Sequence, residues 1–158
     1  MRLTELITPA RVGIERPPDE PTEDRFDKRK ALSRLASMLA SGVSISSGEV
    51  ERVLTERESL QSTGIGEGVA IPHGALPQLD LQCAALLIVP AGVEFDAIDS
   101  SPVTILFAVI GPKRATGEHL KTLARVSRLL RNKAFRDQLV SAEGAQKAYD
   151  LILAEEQK

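Results

Sequence analysis

Two long apolar runs constrain the fold of this chain more than any other feature of its sequence. They cover Ala84–Val89 and Val103–Ile110 and are rich in Val, Ile, Leu and Phe. Neither run alternates with polar residues, and unbroken runs of this length are typical of β-strands that are covered on both faces. The sequence therefore predicts a sheet whose central strands are enclosed between two layers.

Helical segments precede, separate and follow these strands. The first covers about residues 24–41, where apolar residues recur at i, i+3, i+4 and i+7. The second begins at a capping box of Ser46 and Glu49. Three further helices are predicted over about residues 116–131, 133–140 and 142–154. This order of elements predicts an α/β fold, a single-domain sandwich with helices on both faces of a central β-sheet.

Shorter elements complete the predicted organisation. Residues 3–7 could form one helical turn, and residues 11–15 alternate polar and apolar side chains like a short edge strand. The proline-rich stretch of residues 16–21 is predicted to be a surface loop. Residues 69–71 form a further short predicted strand.

Composition excludes several classes of function. The chain has 158 residues, a formal net charge of −2 and 3% aromatic residues, so neither a basic surface for nucleic acid nor a base-stacking platform is expected. Cys83 is the only cysteine, which excludes an intrachain disulfide. No apolar run approaches the ~20 residues that cross a bilayer. We expect a cytoplasmic protein without membrane insertion.

A glycine-rich loop leads into the most distinctive motif of the chain. The sequence there reads Thr63-Gly64-Ile65-Gly66-Glu67-Gly68-Val69-Ala70-Ile71-Pro72-His73-Gly74. Glycine allows close approach of the backbone to a ligand, and successive N–H groups can bind an anion. Proline restricts its own backbone and that of the residue before it, so His73 should be held at the end of a strand.

Several established kinds of site do not fit this motif. The loop is not G-x-G-x-x-G and no Gly-Lys-Ser/Thr follows it, so neither nucleotide-binding motif is present. The two histidines and one cysteine lack the spacing of metal ligands, and no Gly-x-Ser-x-Gly occurs. We therefore expect no metal and no cofactor. What remains is a histidine that acts as the nucleophile itself.

Four groups of residues together resemble a known family. They are Glu56-Arg57-Glu58 with Ser62-Thr63-Gly64-Ile65-Gly66, then Val69–Gly74, Phe95–Asp99 and His119–Leu130. In order and spacing, from about Leu3 to Leu153, the chain resembles the enzyme IIA domain of the fructose–mannitol class (type 2) of the bacterial phosphotransferase system. The nitrogen-regulatory branch of that family is the most similar.

The resemblance implies a site and a set of partners. His73 would accept a phosphoryl group from the phosphocarrier HPr or its nitrogen-branch counterpart NPr. Arg57 matches the phosphate-site arginine of the family, and His119 matches its second active-site histidine. The resemblance also implies a mixed central sheet, and it suggests potassium transporters or sensor kinases as regulated partners.

General chemistry is compatible with these roles. Phosphoryl transfer needs positioning and stabilisation of negative charge, and a guanidinium offers a planar pair of donors for phosphate oxygens. We expect the loop to add donors as phosphate-binding residues, which are Thr63, Gly64, Gly66 and Gly68. Arg57 could instead cap helix carbonyls, and Thr63 could merely end a turn. Glu67, at the tip of the loop, could tune docking of the carrier.

The helix predicted from residue 116 carries the second histidine. Thr116 is its expected cap, and His119 falls in the first turn, where the helix dipole disfavours positive charge. We therefore expect a neutral His119 that donates an N–H towards a phosphate, although an exposed first-turn residue is an alternative. Leu120 is expected on the buried face of the helix.

Two functions compete at this level. One is a phosphorelay regulator that controls partners through its phosphorylation state. The alternative is a sugar-specific IIA component that passes the phosphoryl group to the IIB subunit of a transporter. A binding domain with a degenerate site is a third possibility, which the presence of His73, Arg57 and His119 argues against.

Overall fold

A computed structural model of the chain describes residues 2–158. Its helices are α1 (Leu3–Leu6), α2 (Lys28–Ala40), α3 (Ser47–Leu60), α4 (Thr116–Leu129), α5 (Lys133–Val140) and α6 (Ala145–Glu156), with one 3₁₀ turn at Pro9–Arg11. Its strands are β1 (Val12–Ile14), β2 (Gly64–Gly66), β3 (Val69–Ala70), β4 (His73–Leu76), β5 (Cys83–Val93) and β6 (Val103–Pro112). Within the described residues, no helix combines the length and apolarity that crossing a membrane would require.

The six strands form one mixed sheet in the order β1-β5-β6-β3-β2, and β4 pairs with β6. The long central strands β5 and β6 are antiparallel, whereas β1 runs parallel to β5, and β3 and β4 run parallel to β6. Strand β2 pairs with β3 in the antiparallel direction. The mixed central sheet implied by the family resemblance is therefore confirmed.

Helices cover both faces of the sheet. On one face, α2 and α3 pack against alternate residues of the central strands, including Leu87 and Leu106. On the other face, α1, α4, α5 and α6 pack against the intervening residues, including Leu86 and Phe107. All four of these strand side chains are fully buried. The predicted α/β sandwich with its doubly covered apolar strands is confirmed.

The predicted helix starts differ in accuracy. Ser46 caps α3 as expected, because its hydroxyl oxygen accepts from the Glu49 N–H at 3.2 Å. Helix α2 begins four residues later than predicted, where the Asp27 carboxylate accepts from the Lys30 N–H at 2.9 Å. An aspartate with extended backbone thus ends the preceding loop and satisfies a free amide of the first turn.

Two expectations for α4 are wrong. Thr116 is the first residue inside the helix rather than its cap, and its hydroxyl donates to the Lys113 carbonyl at 3.4 Å. Leu120 is 60% exposed. The buried side of the helix carries Thr122 and Val126, one turn apart, and Leu120 lies about 200° from Thr122 around the axis. The buried face of α4 therefore includes Thr122, two residues after the predicted Leu120.

Candidate functional site

His73 begins β4, directly opposite Val109 of β6. Its Nδ1 lies 2.7 Å from the carbonyl oxygen of Ile71. Since a carbonyl can only accept, Nδ1 carries the proton, and the lone pair of the neutral ring is on Nε2. Pro72 and the pairing of its carbonyl with the Val109 N–H at 2.9 Å keep the intervening backbone in place. The ring is thereby oriented with one nitrogen fixed and the other available as a nucleophile.

The second histidine stands beside the first. The ring centroids of His73 and His119 are 5.7 Å apart, with the ring planes inclined by 52°. His119 approaches β6 at Gly111, where a Cβ atom would come within 3.3 Å of Nδ1. That Nδ1 is buried and has no hydrogen-bond partner among residues 2–158. Nε2 is consequently the nitrogen of His119 that is left to contact a group bound at His73.

Both imidazoles are shifted towards the neutral form. Burial lowers the pKa of His73, a donation to the Ile71 carbonyl partly opposes this, and the positive charge of Arg57 lowers the pKa further. Burial also lowers the pKa of His119, with an additional contribution from a charge on His73. Two neutral rings at neutral pH match a nucleophile paired with a hydrogen-bond donor.

Arg57 lies in the last turn of α3 and is half-buried. Its Nη1 donates to the carbonyl of Gln61 at 2.8 Å, so the capping role considered as an alternative is present. Among the described residues it has no carboxylate partner, unlike Arg52, which pairs with Glu49 and Glu56 on the same helix. The remaining guanidinium donors of Arg57 are therefore available to an anion near His73.

Two glycines position these residues, and the sequence reasoning missed both. A Cβ atom on Gly74 would lie 2.3 Å from Cγ1 of Val53, so α3 can approach β4 only because residue 74 has no side chain. Val53 is one turn from Arg57, and Arg57 and Gly74 line one cleft of about 580 Å³. Gly111 likewise permits the close packing of His119. For Gly74, the sequence did offer a signal, since this glycine directly follows Pro72 and His73.

Thr63 has a different role from the one expected. Its N–H donates to both carboxylate oxygens of Glu58 at 3.1 Å, and its hydroxyl donates to one of them at 2.6 Å. Thr63 is 4% exposed and Glu58 is 6% exposed. Both donors of Thr63 are thus used inside the protein, so a phosphate would have to compete with Glu58 for them.

Gly64 is also part of the packed structure. Its N–H donates to the Ser62 hydroxyl at 3.1 Å, and its carbonyl accepts from the Ile98 N–H at 3.1 Å. A Cβ atom on Gly64 would lie 2.8 Å from the Cβ of Ala97. The glycine is required here for close contact with another segment of the chain rather than with a ligand.

Gly66 and Gly68 form a hairpin turn at the far end of β3. Their φ angles are 100° and 81°, and Glu67 between them also has a positive φ of 57°. Val69 pairs with Ile105 and His73 pairs with Val109, so the turn lies about four strand residues, or about 13 Å, from His73. The structure therefore separates these two glycines from the histidine, and this geometry gives no support to their predicted contact with phosphate.

No group of three potential metal-ligating side chains occurs within residues 2–158. The candidate site consists of His73, His119 and Arg57, which come from β4, α4 and α3 respectively. Such an arrangement offers one nucleophilic nitrogen, a second imidazole nitrogen and a guanidinium without a carboxylate partner. It is suited to covalent capture of a group that carries negative charge.

Comparison with known proteins places this geometry in a family context. The family model for the phosphoenolpyruvate-dependent sugar phosphotransferase system, EIIA 2, matches residues 22–155. A nitrogen regulatory protein of Bradyrhizobium diazoefficiens is 33% identical over 152 residues, which are 96% of this chain and 95% of the relative. A nitrogen regulatory protein of Pseudomonas aeruginosa is 33% identical over 154 residues, which are 97% of this chain and 96% of the relative.

A solved structure shows the same similarity. The nitrogen regulatory protein IIA-Ntr of Neisseria meningitidis superimposes with a TM-score of 0.84 at 28% identity, over 95% of this chain and 98% of that one. Sequence and structure comparisons thus agree on the nitrogen-regulatory branch. The family resemblance stated from the sequence motifs is confirmed.

Proposed function

The chain belongs to the EIIA 2 family of the phosphoenolpyruvate-dependent sugar phosphotransferase system, and on this premise we propose that His73 accepts a phosphoryl group from a phosphorylated carrier protein, HPr or NPr. The observation that carries the proposal is the 2.7 Å contact of Nδ1 with the Ile71 carbonyl. It places the proton on Nδ1 and the nucleophilic lone pair on Nε2.

The transfer is an in-line displacement at phosphorus. Nε2 of His73 forms the new bond to phosphorus, and the leaving group of the carrier departs with the electron pair of the bond that breaks. The Nδ1 proton stays in its hydrogen bond to the Ile71 carbonyl, which stabilises the positive charge that develops on the ring. No proton has to leave His73 for the bond to form.

Arg57 and His119 stabilise the transferred group. The open guanidinium donors of Arg57 match the equatorial oxygens of a phosphoryl group, where negative charge accumulates. A neutral His119 with its proton on Nε2 donates one further hydrogen bond from the α4 side. Charge stabilisation thus comes from two elements that pack on opposite faces of the sheet.

Phosphorylation would regulate partners by charge. It adds about two negative charges at a pocket where Arg57 is otherwise free of carboxylates. A partner that binds the unphosphorylated surface would be repelled without a change of fold. The two relatives described above are named nitrogen regulatory proteins. These names favour regulation, with potassium transporters or sensor kinases as candidate partners, over delivery of phosphate to a sugar transporter.

Mapping the acceptor residue tests the proposal. Wild-type protein, His73→Ala and His119→Ala are each incubated with phosphorylated HPr and with phosphorylated NPr, and digested under alkaline conditions for mass spectrometry. We expect the added phosphate on the peptide that contains His73, none on His73→Ala, and slowed labelling of His119→Ala. Undiminished labelling of His73→Ala would refute the proposal.

A second assay separates regulation from sugar transport. The phosphorylated protein is mixed with a fructose- or mannitol-type IIB domain, and in parallel a candidate kinase or transporter domain is titrated with both phosphorylation states. We expect weak onward transfer and a difference in binding between the states. Rapid transfer to IIB, with equal binding of both states, would support the transport alternative instead.

A further inference from the structure

A buried carboxylate lies behind the candidate site and has no role in the chemistry described so far. Glu58 directly follows Arg57 in α3 and is 6% exposed. Its two oxygens accept from the backbone N–H and the hydroxyl of Thr63. Burying a carboxylate is costly unless charge and hydrogen bonds compensate, so such a group needs an explanation.

The compensating charge is Lys28 at the start of α2. Its ammonium lies 3.0 Å from one carboxylate oxygen of Glu58 and 3.3 Å from the exposed carboxylate of Asp96. It also lies 4.7 Å from the centre of the Phe95 ring, on which a cation packs favourably. Through Lys28 and Thr63, Glu58 joins the start of α2, the end of α3 and the residue that precedes β2.

A continuous set of hydrogen bonds leads from this carboxylate to the nucleophile. Thr63 is held by Glu58, and the Thr63 carbonyl accepts from the Ile71 N–H at 3.0 Å. The Ile71 carbonyl in turn accepts from Nδ1 of His73 at 2.7 Å. Each bond fixes the position of the residue that makes the next one, so order at Thr63 is passed to Ile71 and then to the imidazole.

We propose that Glu58 is a positioning residue for His73, which acts through Thr63 and Ile71 to hold the imidazole with Nε2 directed at the incoming phosphoryl group. This inference rests on the proposed function of His73. It assigns the segment Thr63–Gly64 to support of the nucleophile rather than to contact with phosphate. The role resembles that of a carboxylate behind a metal-bound or catalytic histidine, here with two backbone groups in between.

An amide cannot replace this carboxylate. Every group that faces Glu58 in the hydrogen-bond set is a donor, namely the Thr63 N–H, the Thr63 hydroxyl and the Lys28 ammonium. A glutamine would turn its own NH₂ group towards one of them and would leave Lys28 without a counter-charge. Glu58→Gln keeps the size of the side chain and removes the negative charge and one of the two acceptor oxygens.

The pKa of His73 reports whether the Glu58 charge and the Nδ1–H hydrogen bond act on the imidazole, because both of them raise it. The charged groups that face His73 are Arg57 and Glu58 from α3, and His119 stands beside it from α4. The negative charge of Glu58 raises the pKa of His73, so its loss should lower that pKa further. If Glu58 only stabilised the fold, its loss would expose His73 and move the pKa up towards 6.5.

The experiment is an NMR titration of both histidines in the wild type, Glu58→Gln and the control Glu56→Gln, which removes an exposed carboxylate paired with Arg52 on the same helix. We expect a lower His73 pKa in Glu58→Gln alone. An unchanged or raised pKa would overturn the proposal. The titration needs no phosphoryl donor, so it gives a result even if His73 proves not to be the acceptor.

Transfer kinetics provide a second test with milder substitutions. Thr63→Val removes the hydroxyl and keeps the backbone N–H, whereas Thr63→Ser keeps both. We expect the initial rate of phosphorylation to fall about fivefold in Thr63→Val, as for loss of one hydrogen bond, and to recover in Thr63→Ser. Equal rates for the two variants would contradict the role of this hydrogen-bond set, whether or not Glu58→Gln folds.

Discussion

The hairpin end and the histidine end of the segment Gly64–Leu76 both contain glycine, but their surroundings differ. At the hairpin, the Glu67 N–H donates to Asp99, the Glu67 carboxylate accepts from Arg136, and two N–H groups of β6 donate to the Gly68 carbonyl. At the other end, Nε2 of His73 and most donors of Arg57 have no partner within residues 2–158.

This difference supports the proposal that the histidine end is the functional one. Glycines at the hairpin satisfy backbone angles that other residues adopt at a cost, and every polar group named above is used within the fold. Of these two ends of the segment, only the one around His73 keeps groups that can still react or bind. The glycine-rich stretch thus serves turn geometry, and the proposed phosphate site lies where folding leaves polar groups unpaired.

After the loss of His73 itself, the largest expected effect at the histidine end is that of Arg57→Ala. Charge-assisted hydrogen bonds contribute roughly 1.5–3 kcal/mol, so the rate of phosphoryl acceptance should fall by about 10- to 150-fold. Arg57→Lys should recover only part of this, because an ammonium lacks the planar pair of donors. Stopped-flow or quench-flow experiments with a phosphorylated carrier measure this rate in the wild type and in both variants.

Arg52→Ala is the matched control, since Arg52 lies on the same helix with its charge already paired to two glutamates. Its rate should stay near that of the wild type. Equal losses in Arg52→Ala and Arg57→Ala would show that general surface charge, rather than the open guanidinium, speeds the transfer.

Gly74→Ala should have the next largest effect. The added methyl group would overlap Val53 at 2.3 Å and force α3 away from β4. Overpacking of this kind costs about 1–3 kcal/mol, which urea unfolding would detect. The displaced α3 should also carry Arg57 away from His73 and slow phosphorylation. Adding Val53→Ala should restore much of the stability and much of the phosphorylation rate. Failure of this rescue would exclude the steric explanation.

The effect of pH on the free energy of unfolding should be smaller than the effect of Gly74→Ala. Both histidines have folded-state pKa values below the unfolded value of about 6.5, so the unfolded chain binds more protons as the solution becomes acidic. Their contribution is fully present above pH 6.5 and is lost as the pH falls through the folded-state values. Urea unfolding at pH 7.5 and 5.5 measures this loss.

The variant His73→Asn/His119→Asn removes the only two histidines of the chain. Its free energy of unfolding should decrease less between pH 7.5 and 5.5 than that of the wild type. An equal decrease in both proteins would mean that the pKa values of the histidines are not lowered by folding.

The smallest effect is expected at the hairpin end. Glu67→Gln removes the charge that faces Arg136, but Glu67 is largely exposed, so the loss of stability should be only about 0.2–1 kcal/mol. Arg136 keeps its hydrogen bonds to the carbonyls of Leu130 and Arg131. Phosphorylation per folded molecule should be unchanged. A slowed transfer would show that the hairpin belongs to the functional site after all.

The sequence was sufficient to predict the architecture, since unbroken apolar runs and helical periodicity are local patterns. The α/β sandwich, the Ser46 cap and the edge strand β1 follow from them. The separation of Gly66 and Gly68 from His73 could not be predicted, because it depends on the register of β3 and β4 along β6. The contact of Thr63 with Glu58 depends equally on how the end of α3 meets the strand.

The central claim is that Nε2 of His73 receives the phosphoryl group while Nδ1 keeps its proton. Long-range ¹H–¹⁵N correlation spectra of ¹⁵N-histidine-labelled protein, recorded before and after phosphorylation by the carrier, identify the modified nitrogen directly. We predict phosphorus on Nε2 of His73 and a protonated Nδ1 bound to the Ile71 carbonyl. Phosphorus on Nδ1 of His73, or on either nitrogen of His119, would contradict this account.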